Sequence, residues 1–395
     1  MRALLFERKL PRYAAARVAG SLAPGMGARV GPLTLTEIDE PDLPGPGWMR
    51  VRPRLSGICG SDLATVDGRS SRYFEPIVSF PFVPGHEVVG ELSGGERVVL
   101  EPVLGCPARG IDPPCRACAA GHIDRCEQVS FGHIEPGLQT GYCADTGGGW
   151  STGLVAHQSQ LHRVPDGTSD EAAVMVEPAA CAIHGVLRAA RAAGGGGTVL
   201  VLGAGTLGLC AVAALRRFAT PGTLIAVAKH PEQRRLAGEL GADVVVEPGE
   251  SMRAVRRVTG SMRVGARLSG GADVVVDCVG TEGSVAEDLA VARPGGLVVL
   301  LGMPATVSVD LTPLWQRQIT LAGSYAYGVE STAPDGRAPR TFDLAFQLVA
   351  DARLERLVSA SYPLDRYREA IDHAANAGRR GAVKVVFDLR GEKRR

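Results

Sequence analysis

Four cysteines crowd the segment GCPARGIDPPCRACAAGHIDRC, at Cys106, Cys115, Cys118 and Cys126. Thiols so spaced can close disulfides, run a redox pair across the CRAC step, or hold a metal ion as thiolates. A second set is chemically mixed. Gly57-Ile-Cys59-Gly-Ser61-Asp62 carries a thiol, a hydroxyl and a carboxylate, and Pro84-Gly-His86-Glu87 adds an imidazole and another carboxylate. Thiolate, imidazole and carboxylate are the ligand types zinc accepts. The segment MVEPAACAIHG supplies one more carboxylate, Glu177. Taken singly, each has an ordinary reading: Cys59 as a small buried hydrophobe, His86 as a loop histidine.

A third pattern carries no reactive side chain. VLVLGAGTLGLCAV contains Gly203-Ala-Gly205-Thr206-Leu207-Gly208 between an apolar strand and an apolar helix. In a dinucleotide-binding turn, the first glycine permits the sharp bend and the second admits a pyrophosphate. The third lets the helix pack on the sheet, and the helix N-terminus offers N–H groups to the phosphates. Gly280, the last residue of the run ADVVVDCVG, is assigned to the same cofactor site. The next strand should end on a carboxylate that binds the adenosine ribose. TLIAVAKHPEQRR ends instead on Ala228, Lys229 and His230, with Arg234 following. A basic cluster in that place suits a 2′-phosphate, so NADP(H) is expected in preference to NAD(H).

These residues must be positioned by a chain of 395 residues, enough for two or three domains. A net charge of +1 gives no electrostatic case for nucleic acid or an anionic membrane surface. The start, MRALLFERKLPRY, shows no secretory signal, and a cytoplasmic location is expected. Nine cysteines without an export signal argue against a disulfide framework.

The first ~165 residues hold short β-type runs broken by Pro and Gly, among them MRVRPRLSGI, EVVGEL and ERVVLEPV, as in a compact β-barrel. Farther on, TVLVLG, TLIAVA, ADVVVE, ADVVVDCVG and GLVVLLG are near-continuously apolar, as parallel strands buried on both faces are. Helical stretches such as PEQRRLAGELGA separate several of them. That alternation predicts a doubly wound α/β domain. A helical TFDLAFQLVADARL and a final strand AVKVVFDL close the chain.

Cys59-Gly-Ser61-Asp62, Gly85-His86-Glu87, the Cys-rich lobe, Glu177-Pro178 and the glycine turn occur in the order seen in zinc-containing medium-chain dehydrogenases. The sequence resembles that family, which includes alcohol, polyol, threonine and glucose dehydrogenases, over essentially its whole length. The resemblance implies an α/β chain: a GroES-like β-barrel catalytic domain (1–176), a Rossmann nucleotide-binding domain (177–327) and a C-terminal return to the catalytic domain (328–395), with the active-site cleft between the domains. It implies Cys59 and His86 as catalytic zinc ligands, with Glu87 and Glu177 as the carboxylates that complete the site. Asp62 would orient His86, and Ser61 would touch the substrate oxygen and pass its proton on. Many relatives place a histidine where this chain has Ala64, so proton exit needs another route, with Thr65 among the candidates. Cys181 and His184 are assigned to helix packing.

By the same resemblance, Cys115-x2-Cys118-x7-Cys126 matches the last three ligands of a structural zinc lobe (about 105–127). Cys106 lies farther upstream than in relatives, which makes PARGIDPP an inserted bulge and Asp112 the reserve ligand. Two zinc ions per chain are therefore expected. The implied activity is interconversion of a small-molecule alcohol and a carbonyl by hydride transfer to or from a nicotinamide cofactor. The implied assembly is a homodimer or homotetramer, with ITLAGSYAYG as the candidate edge strand. Arg69 to Tyr73, after the first ligand, suit either a polar substrate wall or a solvent-facing loop.

Overall fold

The computed structural model describes residues 1–193, 196–330 and 338–392. Its strands are β1 (Arg2–Phe6), β2 (Leu33–Glu37), β3 (Trp48–Gly57), β4 (Val88–Leu92), β5 (Arg97–Leu100), β6 (Leu154–His157), β7 (Leu161–Arg163), β8 (Thr198–Leu202), β9 (Thr223–Val227) and β10 (Val244–Val246). A two-residue pair follows, β11 (Arg263–Val264) and β12 (Arg267–Leu268). The rest are β13 (Ala272–Asp277), β14 (Ala292–Leu300), β15 (Thr320–Gly323), β16 (Val358–Tyr362) and β17 (Lys384–Asp388). The chain divides into two compact units, Met1–Glu177 with Arg353–Arg395, and Pro178–Ala352.

The first unit is built on a seven-stranded sheet ordered β16-β17-β3-β4-β5-β7, with β6 also on β3. The final strand β17 thus lies inside the sheet, antiparallel to β3. Pairing Val386 with Gly57 sets the C-terminal segment directly beside the run that leads to Cys59. The core under this face gathers Ile58, Phe82, Val83, Trp150, Val385 and Phe387 with residues of β1 and β2.

One element here is absent from the β-rich expectation. A helix, Leu10–Leu22, stands between β1 and β2, opened by Pro11 and rich in alanine. After it, the N–H groups of Gly25 and Gly27 donate to the buried Asp67 carboxylate at 2.9 and 3.0 Å. That bond ties the inserted helix to the end of the helix Gly60–Val66, whose first turn carries Ser61 and Asp62.

The second unit is a parallel six-stranded sheet ordered β10-β9-β8-β13-β14-β15. Strand order reverses between β8 and β13, the place where doubly wound sheets bind dinucleotides. Its end falls at 352 rather than 327, which corrects the expected boundary. The helix Thr341–Ala352 packs within this unit: Phe342 meets Tyr327 edge-on with ring centroids 4.8 Å apart, and the Thr341 hydroxyl donates to the Gly328 carbonyl.

Asp277 closes β13 and shapes the turn that follows. It accepts N–H bonds from Val279 and Gly280 at 2.7 and 3.1 Å and the Ser284 hydroxyl at 2.8 Å. Beside it lies a second buried carboxyl, Asp288. Burial first, then the charge of Asp277, raises Asp288 well above the ordinary aspartate range. A raised folded-state value means the fold holds a proton that the unfolded chain releases above about pH 4. The stability it contributes is full in acid and is lost as pH rises from there toward the raised value. Asp288→Asn does not titrate, so it should melt higher than the parent at about pH 8, with the gap shrinking toward about pH 4. Thermal unfolding across that range checks it, and a pH-independent gap would rule the titration out.

Candidate active site and metal centres

Cys59, His86 and Glu87 converge in the first unit, with their ligand atoms all within 4.8 Å of one another. Cys59 caps the helix Gly60–Val66 from the end of β3, while His86 and Glu87 immediately precede β4. The pairing of β3 with β4 is what brings them together: Ser56 faces Val88. His86 and Glu87 are buried.

Asp62 serves two of these residues. Its Oδ2 accepts the Cys59 N–H at 2.9 Å, and its Oδ1 faces His86 Nδ1 at 3.5 Å. Neither of those last two atoms has another hydrogen-bond partner among the described residues. The contact directs Nδ1 toward the carboxylate and leaves Nε2 as the ring nitrogen for a cation. Burial alone would disfavour an imidazolium here. Asp62 and Cys59 outweigh it and hold His86 well above its usual value. The cluster is thus electrostatically tuned to take up positive charge.

Glu87 has a partner that the motifs did not disclose. Lys384, the first residue of β17 and itself buried, forms an ion pair with Glu87 Oε2 and donates to the Ile58 carbonyl at 3.3 Å. Burial opposes the ammonium, but Glu87, Cys59 and Glu177 together raise Lys384 above its usual value. The carboxylate has room only because position 57 lacks a side chain: a Cβ on Gly57 would lie 1.9 Å from Glu87 Oε2. Glu177 is buried and near enough for its charge to act on Lys384, yet it lies outside the 4.8 Å trio.

Two further side chains come from the loop before β6. Trp150 is fully buried and donates its indole N–H to the Gly57 carbonyl at 3.2 Å. Tyr142 stands with its ring centroid 6.1 Å from that of His86, and its hydroxyl is 3.3 Å from Thr65 Oγ1. Burial, then the charge of Asp62, raises the phenol well above its usual value, so it stays a neutral hydroxyl. Sequence reasoning assigned no role to this glycine-rich loop. A tyrosine within it was the only available signal.

The second centre is the lobe. Cys106, Cys115, Cys118 and Cys126 bring four sulfurs within 4.8 Å of one another, and Asp112 is not among them. The sulfurs of Cys106 and Cys126 are 3.7 Å apart. A disulfide needs about 2.0 Å. A tetrahedral zinc with bonds of about 2.3 Å puts its sulfurs about 3.8 Å apart. The geometry therefore fits zinc. Backbone N–H groups already point at the sulfurs, Cys115 at Cys106 and Gln128 at Cys126, each at 3.4 Å. Burial works against ionising Cys115, yet the backbone at Cys118 and Glu127 brings it down to about 7. Burial pushes Cys126 up to about 11. The bulge upstream is pinned by the buried Arg109, which donates to the carbonyls of Leu104 and Phe131 at 3.0 and 2.9 Å.

In the second unit the glycine turn adopts the expected form. Gly203 has φ +87°, and Gly205 caps the helix Thr206–Ala214, so Thr206 and Leu207 begin its first turn. A Cβ on Gly208 would lie 1.8 Å from the Gly203 carbonyl oxygen, whereas one on Gly205 would meet nothing within 4 Å. The first contact explains close helix packing and the second leaves room for a phosphate. Gly280, at φ +67°, sits in the turn that Asp277 holds. Ala228 follows β9 and is buried, Lys229 is exposed, and His230 caps the helix Pro231–Glu239. Arg234 is already engaged: it donates to the carbonyls of Ala228 and Lys229 at 3.3 and 3.0 Å and pairs with Glu247 at 3.1 Å. His184 lies in the long helix Val176–Ala193 with Nδ1 2.6 Å from Glu330 Oε1, a buried pair instead of plain packing.

Comparison with known proteins agrees with both halves. Residues 45–166 match a family model described as alcohol dehydrogenase GroES-like domain, and 206–350 one described as zinc-binding dehydrogenase. A probable D-xylulose reductase A from Neosartorya fischeri is 30% identical over 299 residues, covering 73% of this chain and 77% of its own. The sorbitol dehydrogenase of Arabidopsis thaliana is 28% identical over 366 residues, covering 87% and 89%. A crystal structure described as a zinc-binding dehydrogenase from Sinorhizobium meliloti 1021, bound to NADP, aligns with a TM-score of 0.69. It is 26% identical and covers 90% of this chain and 96% of the other. With the thiol–imidazole–carboxylate trio, the four-sulfur lobe and the glycine turn all in place, this chain belongs to the zinc-binding medium-chain dehydrogenases.

Proposed function

We propose that this enzyme oxidises polyols and related secondary alcohols, and reduces the matching carbonyls, using NADP(H) in preference to NAD(H), in the cytoplasm. The observation that carries the reading is the Cys59–His86–Glu87 cluster, with His86 and Glu87 buried and Cys59 half-buried. The sorbitol dehydrogenase and D-xylulose reductase relatives support the substrate class. Bound zinc supplies Lewis acidity toward the substrate oxygen, and bound nicotinamide accepts or returns hydride. The chain's own residues arrange the rest. Asp62 fixes the backbone at Cys59 and the ring at His86, and Lys384 holds the Glu87 carboxylate in place through their ion pair. Ser61, in the first turn of the helix Gly60–Val66, presents a hydroxyl to position the substrate oxygen. The test is cofactor reduction by the zinc-loaded protein on a panel of sorbitol, xylitol and simple secondary alcohols. No turnover with any of them would overturn the reading.

The cofactor preference rests on position 228. With alanine there, no carboxylate repels a 2′-phosphate, and the exposed Lys229 ammonium can reach one. One charge-assisted contact contributes about 1.5–3 kcal/mol before solvent screening, roughly ten- to a hundredfold. Arg234 adds to this only by releasing Glu247, whose side chain is 59% exposed and loosely held. Ala228→Asp should therefore shift the kcat/KM ratio toward NAD by at least about tenfold. Equal parent values for the two cofactors would refute the preference.

A homodimer or homotetramer is proposed through the free edge of β15, the last strand of its sheet. Leu311 and Trp315, just before it in sequence, are 52% and 70% exposed and supply apolar surface that a partner could cover. Light scattering should give two or four protomers, and a monomer at working concentration would refute it.

A further inference from the structure

Ala64 leaves no imidazole in the helix that follows Cys59, so the proton of an oxidised alcohol needs another way out. Three hydroxyls in the first unit lie in line. Tyr142 stands beside the His86 ring, and its hydroxyl is 3.3 Å from Thr65 Oγ1. Thr65 is buried, and its Oγ1 is 2.9 Å from Ser70 Oγ and 2.9 Å from the Ser61 carbonyl. Ser70 is half-buried, in the turn after the helix. The row thus runs from the ligand cluster through a buried midpoint to a group that water can reach.

We propose that Tyr142, Thr65 and Ser70 conduct the substrate proton between the active site and solvent; this rests on the dehydrogenase reading above. A hydroxyl carries one donor proton and two lone pairs, so each member can accept one proton while giving another. At rest Thr65 donates to the Ser61 carbonyl, and Tyr142 and Ser70 can donate to Thr65. During oxidation the C–H bond breaks with its electron pair going to nicotinamide, and the alcohol O–H bond breaks as the carbonyl forms. The released proton goes to the Tyr142 oxygen, whose own proton passes to Thr65. Thr65 turns its proton from the Ser61 carbonyl to Ser70, and Ser70 releases one to water. Each hydroxyl ends as it began, and reduction runs the sequence backward.

Tyr142→Phe and Thr65→Val interrupt the row without removing a zinc-ligand candidate. Each should lower kcat by about ten- to a hundredfold in dilute buffer, with KM and zinc content close to the parent's. Raising the concentration of imidazole buffer should restore the rate in these variants and leave the parent unchanged. Thr65→Ser keeps the hydroxyl and should behave like the parent. Ser70→Ala, at a half-buried position, should show a smaller loss with the same buffer dependence, and it tests the route should Thr65→Val fail to fold. Parent-like kcat in Tyr142→Phe and Ser70→Ala would overturn the route, as would losses that buffer does not repair at normal zinc content. A parent that reduces no cofactor with any alcohol would overturn the functional reading itself. An active parent with unaffected variants would remove only the route.

Discussion

Replacing His86 by alanine is expected to lower kcat/KM by about a thousandfold or more while nucleotide affinity changes little. The imidazole is one of three ligand candidates, and of the other two Glu87 is already held by Lys384. Removing it leaves a thiol and a carboxylate already paired with Lys384, too little to fix a cation in catalytic geometry. Lewis-acid activation amounts to several kcal/mol, and each 1.36 kcal/mol is about a factor of ten, so about three decades follow. Nucleotide affinity should hold because the glycine turn lies in the separate unit Pro178–Ala352, with its own core of Leu200, Ile225, Val275 and Val298. Steady-state kinetics with zinc analysis and a cofactor titration test both halves. Near-parent turnover in the variant would break the assignment of His86, and a collapse of nucleotide binding would show that its effect is not local.

Much of this site was readable because chemistry restricts which residues can do the work. Only thiolate, imidazole and carboxylate suit such a metal, and only glycine tolerates a φ of +87° at Gly203 beside the contact at Gly208. Such constraints leave marks at fixed spacing, and five of the six strands of the parallel sheet leave theirs in near-continuous apolar composition. Lys384 left no mark. It reaches Ile58 and Glu87 only because β17 threads in beside β3, a pairing that spans almost the whole chain. Within AVKVVFDL it reads as an ordinary polar position on the outward face of a strand. Tyr142 and Trp150 were hidden for a different reason, since loops without periodicity give no clue to which side chains point inward. The helix Leu10–Leu22 and the boundary at 352 were missed through texture: an alanine-rich insertion and a helix with an edge-on ring contact do not alter the overall pattern.

Cys118→Ser is expected to remove about one zinc ion per chain and to compromise folding, the largest structural effect of any single substitution considered. The lobe has little else to hold it. From Pro113 to Glu127 every side chain is exposed or only half-buried, and the regular structure is limited to the turns Arg116–Ala119 and Ile123–Arg125. Apolar burial therefore cannot offset the chain entropy of ordering it. Four sulfurs held within 4.8 Å are poor company as free thiols, and burial already pushes Cys126 up to about 11. A cation reverses that, since the four thiolates chelate it together as their protons leave, and the binding free energy becomes folding free energy. For isolated structural zinc sites it is about 10–16 kcal/mol, as large as the whole stability of a typical domain, about 5–15 kcal/mol. Serine offers no thiolate, so three ligands would remain around an opened tetrahedron. Metal analysis of purified parent and variant should give about two and about one, with the variant melting lower or aggregating and a strong chelator doing the same to the parent. A fully active parent with a single zinc, or a variant that keeps both its metal and its melting point, would show that these four cysteines do not hold a structural ion.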